Sequence, residues 1–98
     1  MDNEVAVAAL SALAFETRLR AVQLLASAGD EGVAAGQLAE RLGVQQNTMS
    51  DHLRALARAD IVTTERRSRR IIYRINPSVV GDLALFLESR CKPDTQAA

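Results

Sequence analysis

Apolar positions recur at helical spacing over most of this chain and switch to strict alternation over one stretch only. Val5 to Leu13 is rich in Ala and Val with little polar relief, which predicts a helix that buries more than one side. From Phe15 to Ala28, Leu19, Val22 and Leu25 form an i, i+3, i+6 stripe. Glu16 suits the positive end of that helix, and Gly29 stands where the chain must turn left-handed. Asp30, Glu31 and Gly32 read as a loop. Ala35 to Leu42 predicts a short helix with Leu38 and Leu42 inward, ending at Gly43. The next stripe is Met49, Leu53 and Leu56, on a helix running from about Gln46 to Ala59. Val44 plugs the turn between these two, and short helices joined by a glycine-containing turn describe a helix-turn-helix. Asp60, a residue that enters the left-handed region readily, ends the second of them.

Beyond Asp60 the period falls to two. Ile61 to Glu65 and Ile71 to Ile75 are β-branched and alternating, with ERRSRR between them, which predicts a two-stranded hairpin. Ile71, Tyr73 and Ile75 share one face, and Ile72 and Arg74 share the other. Asn76-Pro77 is a helix start, Asn as cap and Pro at the first helical position. The helix from Pro77 to about Arg90 carries Val79, Val80, Leu83, Leu85, Phe86 and Leu87, apolar around most of its circumference. The expected fold is mainly α with a minor β part: four helices, a hairpin wing and a C-terminal helix, a winged helix-turn-helix. Residues 1–91 form one domain in this reading, and 92–98, with Pro93 and small polar residues, form a disordered tail.

Composition changes this picture little; the distribution of charge changes it more. No apolar run reaches the roughly 20 residues of a membrane helix. The start is acidic (Asp2, Glu4), unlike a secretory signal. A single cysteine, Cys91, excludes an internal disulfide, so a cytoplasmic location is expected. Formal charge is zero over 98 residues, yet residues 45–76 hold seven basic against three acidic side chains. The rest of the chain holds five against nine. A basic third within an acidic protein points to a polyanionic partner.

The helix after Gly43 opens on four polar residues, Gln45 to Thr48, that give a core nothing. A recognition helix enters the major groove with this end toward the base edges, and Asn, Gln, Arg, Ser and Thr are the side chains that read them. With Met49 and Leu53 inward, Asn47, Asp51, Arg54 and Arg58 fall on the far side, Thr48 and Ser50 flank them, and Gln46 lies at the entrance. At the hairpin tip Arg66, Arg67, Arg69 and Arg70 crowd like charges that an anionic strand would relieve. The expected partner is double-stranded DNA. A winged helix used only for protein–protein contact is the alternative. No Gly-rich phosphate loop, Ser/His/Asp arrangement or carboxylate cluster is visible, which argues against an enzyme.

The runs LAFETRLRAVQLLA, GQLAERLGVQQNTMSDHLRALARADIV and TTERRSRRIIYRINP resemble the ArsR/SmtB-type winged-helix repressors of bacteria across nearly the whole chain. The specific elements are Glu16-Thr17-Arg18, Leu38-Ala39-Glu40, Leu42-Gly43-Val44, then Ser50, His52 and Leu53 of the recognition helix, and the strand from Arg70 to Tyr73. The resemblance implies a homodimer that occupies a palindromic operator as a repressor and leaves it when an effector binds. The residues favour a dimer independently, because the first and last helices are too apolar all round to stand exposed in a small monomer.

Arsenic-sensing members of that family carry a cysteine pair in the third helix or just after the last one. Here Ala34 to Leu42 holds no cysteine, and after the last helix Cys91 is followed by Lys92. Zinc-binding members use histidine-containing pairs on the last helix, where this chain offers Asp82 and Glu88 without a histidine. No metal site and no cofactor are therefore expected. Cys91 reads as a small, semi-buried thiol, or alternatively as a thiol sensor close to a two-fold axis. His52 reads as a structural hydrogen-bonding residue or a backbone-phosphate contact.

Overall fold

The computed structural model describes residues 1–93. The first helix, α1 (Asn3–Leu13), starts because Asp2 caps it, its carboxylate accepting from the Val5 amide at 2.8 Å. Ala6, Ala9 and Ala12 are its buried face, and their small side chains let the helix lie close to its neighbours. Only this one face is covered within the chain; Val5, Val7 and Leu10 point away into solvent. Helix α2 (Glu16–Ala28) buries Ala21 and Leu25, with Val22 half-covered. Leu19, expected in the stripe, is 47% exposed, because the buried line follows the i, i+4 pair of Ala21 and Leu25.

A 3₁₀ turn (Gly29–Glu31) follows where a loop was expected, and then a strand that no periodicity predicts, β1 (Val33–Ala34). Gly32 leads into it with φ +68, passing so close to a neighbouring strand that a Cβ would stand 2.7 Å from the Tyr73 carbonyl oxygen. Only glycine meets both demands. Helix α3 (Ala35–Leu42) buries Leu38 and Ala39, while Leu42 is half-buried. Gln37 Oε1 accepts from the Ala34 amide at 3.2 Å in its first turn. It ends at Gly43 in the left-handed region, and the Val44 amide donates back to Ala39 O at 2.9 Å. Helix α4 (Gln46–Arg58) has Met49, Leu53 and Leu56 wholly buried. Asp60 closes it at φ 59, as expected of that residue.

Strands β2 (Val62–Arg67) and β3 (Arg70–Ile75) form the hairpin, and β1 pairs with β3 to complete an antiparallel sheet of order β1-β3-β2. The register pairs Thr64 with Tyr73 and Glu65 with Ile72, so Ile71, Tyr73 and Ile75 do share a face. Tyr73 from that face enters the core with Val33 and Val62, and Ile72 on the opposite face is buried as well, beneath the Gly32 segment. Helix α5 (Pro77–Arg90) starts at proline, but Asn76 does not cap it. The Asn76 backbone is extended, and its side-chain amide donates instead to the Asp60 carbonyl at 3.0 Å. That bond fastens the start of α5 to the end of α4.

Leu25, Leu38, Met49, Leu53, Leu56 and Ile61 form the centre of the core. Each contributes roughly 1.5–3 kcal/mol relative to an exposed side chain. Helix α5 packs beside α1 and buries Leu83 alone, leaving Val80, Leu85 and Leu87 open to solvent. No described helix is long and apolar enough to cross a membrane. Of the tail expected at 92–98, residues 94–98 lie outside the described residues.

Candidate nucleic-acid interface

The three buried residues of α4 fix which side of that helix faces outward. Gln46, Asn47, Thr48, Asp51 and Arg54 are exposed. Ser50 is half-buried and lines a small cleft with Gln46, Ala35 and Gly36 at the start of α3. No side chain caps α4, so the amides of its first turn have no side-chain acceptor. An uncapped, outward helix N-terminus is suited to an anion such as a phosphate. Arg54 donates to Asp51 at 3.0 Å in an open ion pair, both side chains well exposed. Such a pair is worth no more than about 1 kcal/mol and opens readily for a better partner. Arg58, placed by periodicity on the same far side, lines a shallow depression against α1 with Ala8, Ser11 and Ala12, away from the polar end.

The wing brings its arginines to a two-residue turn, Ser68-Arg69, with Arg67 opposite Arg70. Ser68 takes φ 60 there. Because side chains opposite one another across a strand pair share a face, the four guanidiniums divide. Arg66 lies on the face of Ile71, whereas Arg67 and Arg70 lie together on the face of Glu65 and Ile72. Arg67 is partly committed, donating to Glu65 at 3.2 Å. Arg74 is wholly structural: it holds Glu65 at 2.7 Å and donates to the Asp30 carbonyl at 2.7 Å. The Arg74 and Arg67 guanidiniums hold the Glu65 carboxyl below its ordinary range. Burial raises the Tyr73 phenol. Among the described residues, Arg66, Arg69 and Arg70 have no hydrogen-bond or ion-pair partner.

The first turn of α3 joins these two regions. Ala35 and Gly36 line one cleft with Gln46 and Ser50, and a second with Arg69, Arg70 and Ile71. The polar end of α4 and the unpaired tip of the wing thus flank one short helix terminus and form a continuous exposed edge.

His52 lies beside the core stripe and accepts at Nδ1 from Arg18 Nε at 2.9 Å, a structural hydrogen bond. No periodicity pairs residues so far apart in the chain, and the sequence offered no signal for it. Cys91, read as semi-buried, is exposed, because α5 ends at the surface with nothing packed over its last turn. Among the described residues no three His, Cys, Asp or Glu side chains gather into a metal-binding group.

A sequence family described as a helix-turn-helix domain matches residues 13–65. The nodulation protein NolR of Rhizobium meliloti is 33% identical over 96 residues, 98% of this chain and 76% of NolR. The transcriptional activator HlyU of Vibrio cholerae is 33% identical over 79 residues, 81% of this chain and 70% of HlyU. A solved structure adds the fold and the family together: the homodimeric winged helix-turn-helix DNA-binding domain of Mb0332 from Mycobacterium bovis, a possible ArsR-family regulator. It superposes with TM-score 0.73 at 29% identity, over 88% of this chain and 78% of that one. The chain belongs to the ArsR-type winged helix-turn-helix regulators.

As an ArsR-type protein it is a DNA-binding transcriptional regulator. The matched helix-turn-helix span takes in α2, β1, α3, α4 and the first part of β2. The four tip arginines, α5 and nearly all of α1 lie beyond it.

Proposed function

We propose that two copies of this chain associate through α1 and α5 and bind a palindromic operator, each copy reading one half-site. In this reading Gln46, Asn47, Thr48, Ser50, Asp51 and Arg54 face base edges and phosphates of the major groove. Arg66, Arg67, Arg69 and Arg70 hold the flanking backbone or enter the adjacent minor groove. One observation carries the proposal. The outward end of α4 is polar and uncapped while its inner face is wholly buried, and two unpaired guanidiniums, Arg69 and Arg70, stand at the other end of the same edge.

Dimerisation is supported by the apolar residues left uncovered on α1 and α5, among them Val5, Val7, Leu10, Val80, Leu85 and Leu87. Mb0332 is homodimeric, and its fold is the one seen here. A repressor role follows wherever the operator overlaps a promoter, since a bound dimer blocks polymerase; an effector that weakens the dimer–DNA complex would then relieve it. HlyU is an activator, so the sign of regulation lies in operator placement as much as in the protein.

Operator selection with the purified chain, followed by a salt titration of the selected duplex, tests the proposal. The logarithm of the affinity should fall linearly with the logarithm of salt, with a slope of about −0.9 per phosphate neutralised. Absence of binding to any duplex at low ionic strength would refute the reading. A salt-insensitive association with protein alone would favour the protein–protein module instead.

A further inference from the structure

We propose that Arg18 and His52 form a positioning pair that ties the reading helix α4 to α1, so that operator discrimination depends on a hydrogen bond outside the DNA contact. The proposal rests on the DNA-reading role argued above. Arg18 donates through Nε to His52 Nδ1 at 2.9 Å and through Nη1 to the Ala12 carbonyl at 3.3 Å. Ala12 lies in the last turn of α1, Arg18 in the first turn of α2, and His52 midway along α4. The Arg18 guanidinium, itself from α2, therefore ties two further helices together.

The surroundings make that guanidinium rigid. Its central carbon stands 3.9 Å from the centroid of the Phe15 ring, and the same ring lies 5.9 Å from the His52 imidazole, tilted by 54°. A planar fork stacked on an aromatic face has little freedom left, so its donors keep fixed directions. An imidazole that accepts at Nδ1 carries its proton on Nε2, so only one tautomer of His52 completes the link. In the shallow depression beside the pair the other charged side chain is Arg58, and no carboxylate there competes for Arg18.

What the pair controls is the roll of α4 about its own axis. Met49, Leu53 and Leu56 fix which side of the helix faces the core, but apolar burial is non-directional and sets the exact roll only coarsely. A hydrogen bond is directional. A roll of about 15° moves side-chain tips roughly 6 Å from the axis by about 1.5 Å, several times the tolerance of a base-reading contact. Because Ala12 belongs to α1, the same link relays a shift of the dimer-forming helix to the reading edge.

The test uses the full chain and fluorescence anisotropy on its selected operator and on a scrambled duplex of equal length. His52→Leu and Arg18→Met should each lower the operator-to-scrambled affinity ratio by about tenfold, with dimerisation unchanged. His52→Asn should retain the parent ratio, because Asn Oδ1 stands as many bonds from the backbone as His Nδ1 and still accepts. If the Leu and Asn variants behave alike, or if losses fall equally on both duplexes, the coupling is overturned. Should a variant melt early, amide hydrogen exchange decides: loss of protection confined to α4 supports the pair, and uniform loss overturns it. A parent chain that binds neither duplex overturns the DNA-reading role itself.

Discussion

Truncating Leu85 to alanine separates folding from assembly in a way few substitutions here can. Leu85 is 64% exposed within the chain, so its removal leaves the monomer's own core intact. Covering that open fraction at an interface contributes about 1–2 kcal/mol for a leucine. A two-fold interface contains the residue twice, so Leu85→Ala should weaken the dimer by about 2–4 kcal/mol. That range corresponds to a rise of about 30-fold to 1,000-fold in the dimer Kd. Sedimentation equilibrium over a wide concentration range measures the constant directly, and thermal unfolding at a concentration where both proteins are monomeric supplies the control. Operator affinity should fall with the dimer, since a half-site bound by a lone copy loses the linked second contact. A dimer constant within threefold of the parent, or a melting temperature that falls while association holds, would refute the assignment of α5 to the interface.

The remaining predictions concern the wing, the reading edge and the thiol. Gly32→Ala brings a Cβ within 2.7 Å of both the Tyr73 carbonyl oxygen and Ile72 Cγ2 at φ +68. It should cost about 2–4 kcal/mol in urea unfolding, and a loss below about 1 kcal/mol would contradict the close approach. Arg54→Ala should cost about 1–3 kcal/mol on the operator and relax preference at one position, whereas Arg69→Ala should weaken all duplexes alike and flatten the salt slope. Equal losses on operator and random DNA for both would contradict that division. Glu65 has a folded-state pKa below its ordinary 4.5, so its contribution to stability is present above that value and is lost as the pH falls through the lowered one. Glu65→Gln should therefore be less stable than the parent at neutral pH and converge with it in acid; a constant difference across the range would rule this out. Cys91→Ser should bind and release the operator like the parent under oxidants and metalloids, since among the described residues the thiol belongs to no metal-binding group of three His, Cys, Asp or Glu side chains. A variant that no longer responds would make the thiol a sensor.

Much of the architecture was legible in the sequence because its elements announce themselves by period. The Met49, Leu53, Leu56 stripe and the glycine at the turn place α3 and α4, and alternation places β2 and β3. Periodicity failed where size and hydrophobicity diverge: Leu19 looks like core and Ala21 does not, yet Ala21 is the buried one. Strand β1 is two residues long, too short to show any period, and only the close approach at Gly32 accounts for it. The polar end of α4 was readable one residue at a time. The division of the tip arginines between two sheet faces needed the strand register, and the withdrawal of Arg74 into the Glu65 and Asp30 contacts needed coordinates. The Arg18–His52 bond spans α2 to α4, and no local rule anticipates it.

The brevity of β1 has a mechanical meaning. It supports β3 only at Ile72 and Tyr73, so the hairpin from Arg66 through Ile71 projects as an unbacked two-stranded ribbon, hinged over a fulcrum two residues wide. A ribbon of that kind flexes and twists at far lower cost than a three-stranded slab. In the DNA complex proposed above, the outer half of the wing would tilt to follow wide or narrow duplex geometry without disturbing Tyr73 or the packed helices beneath it.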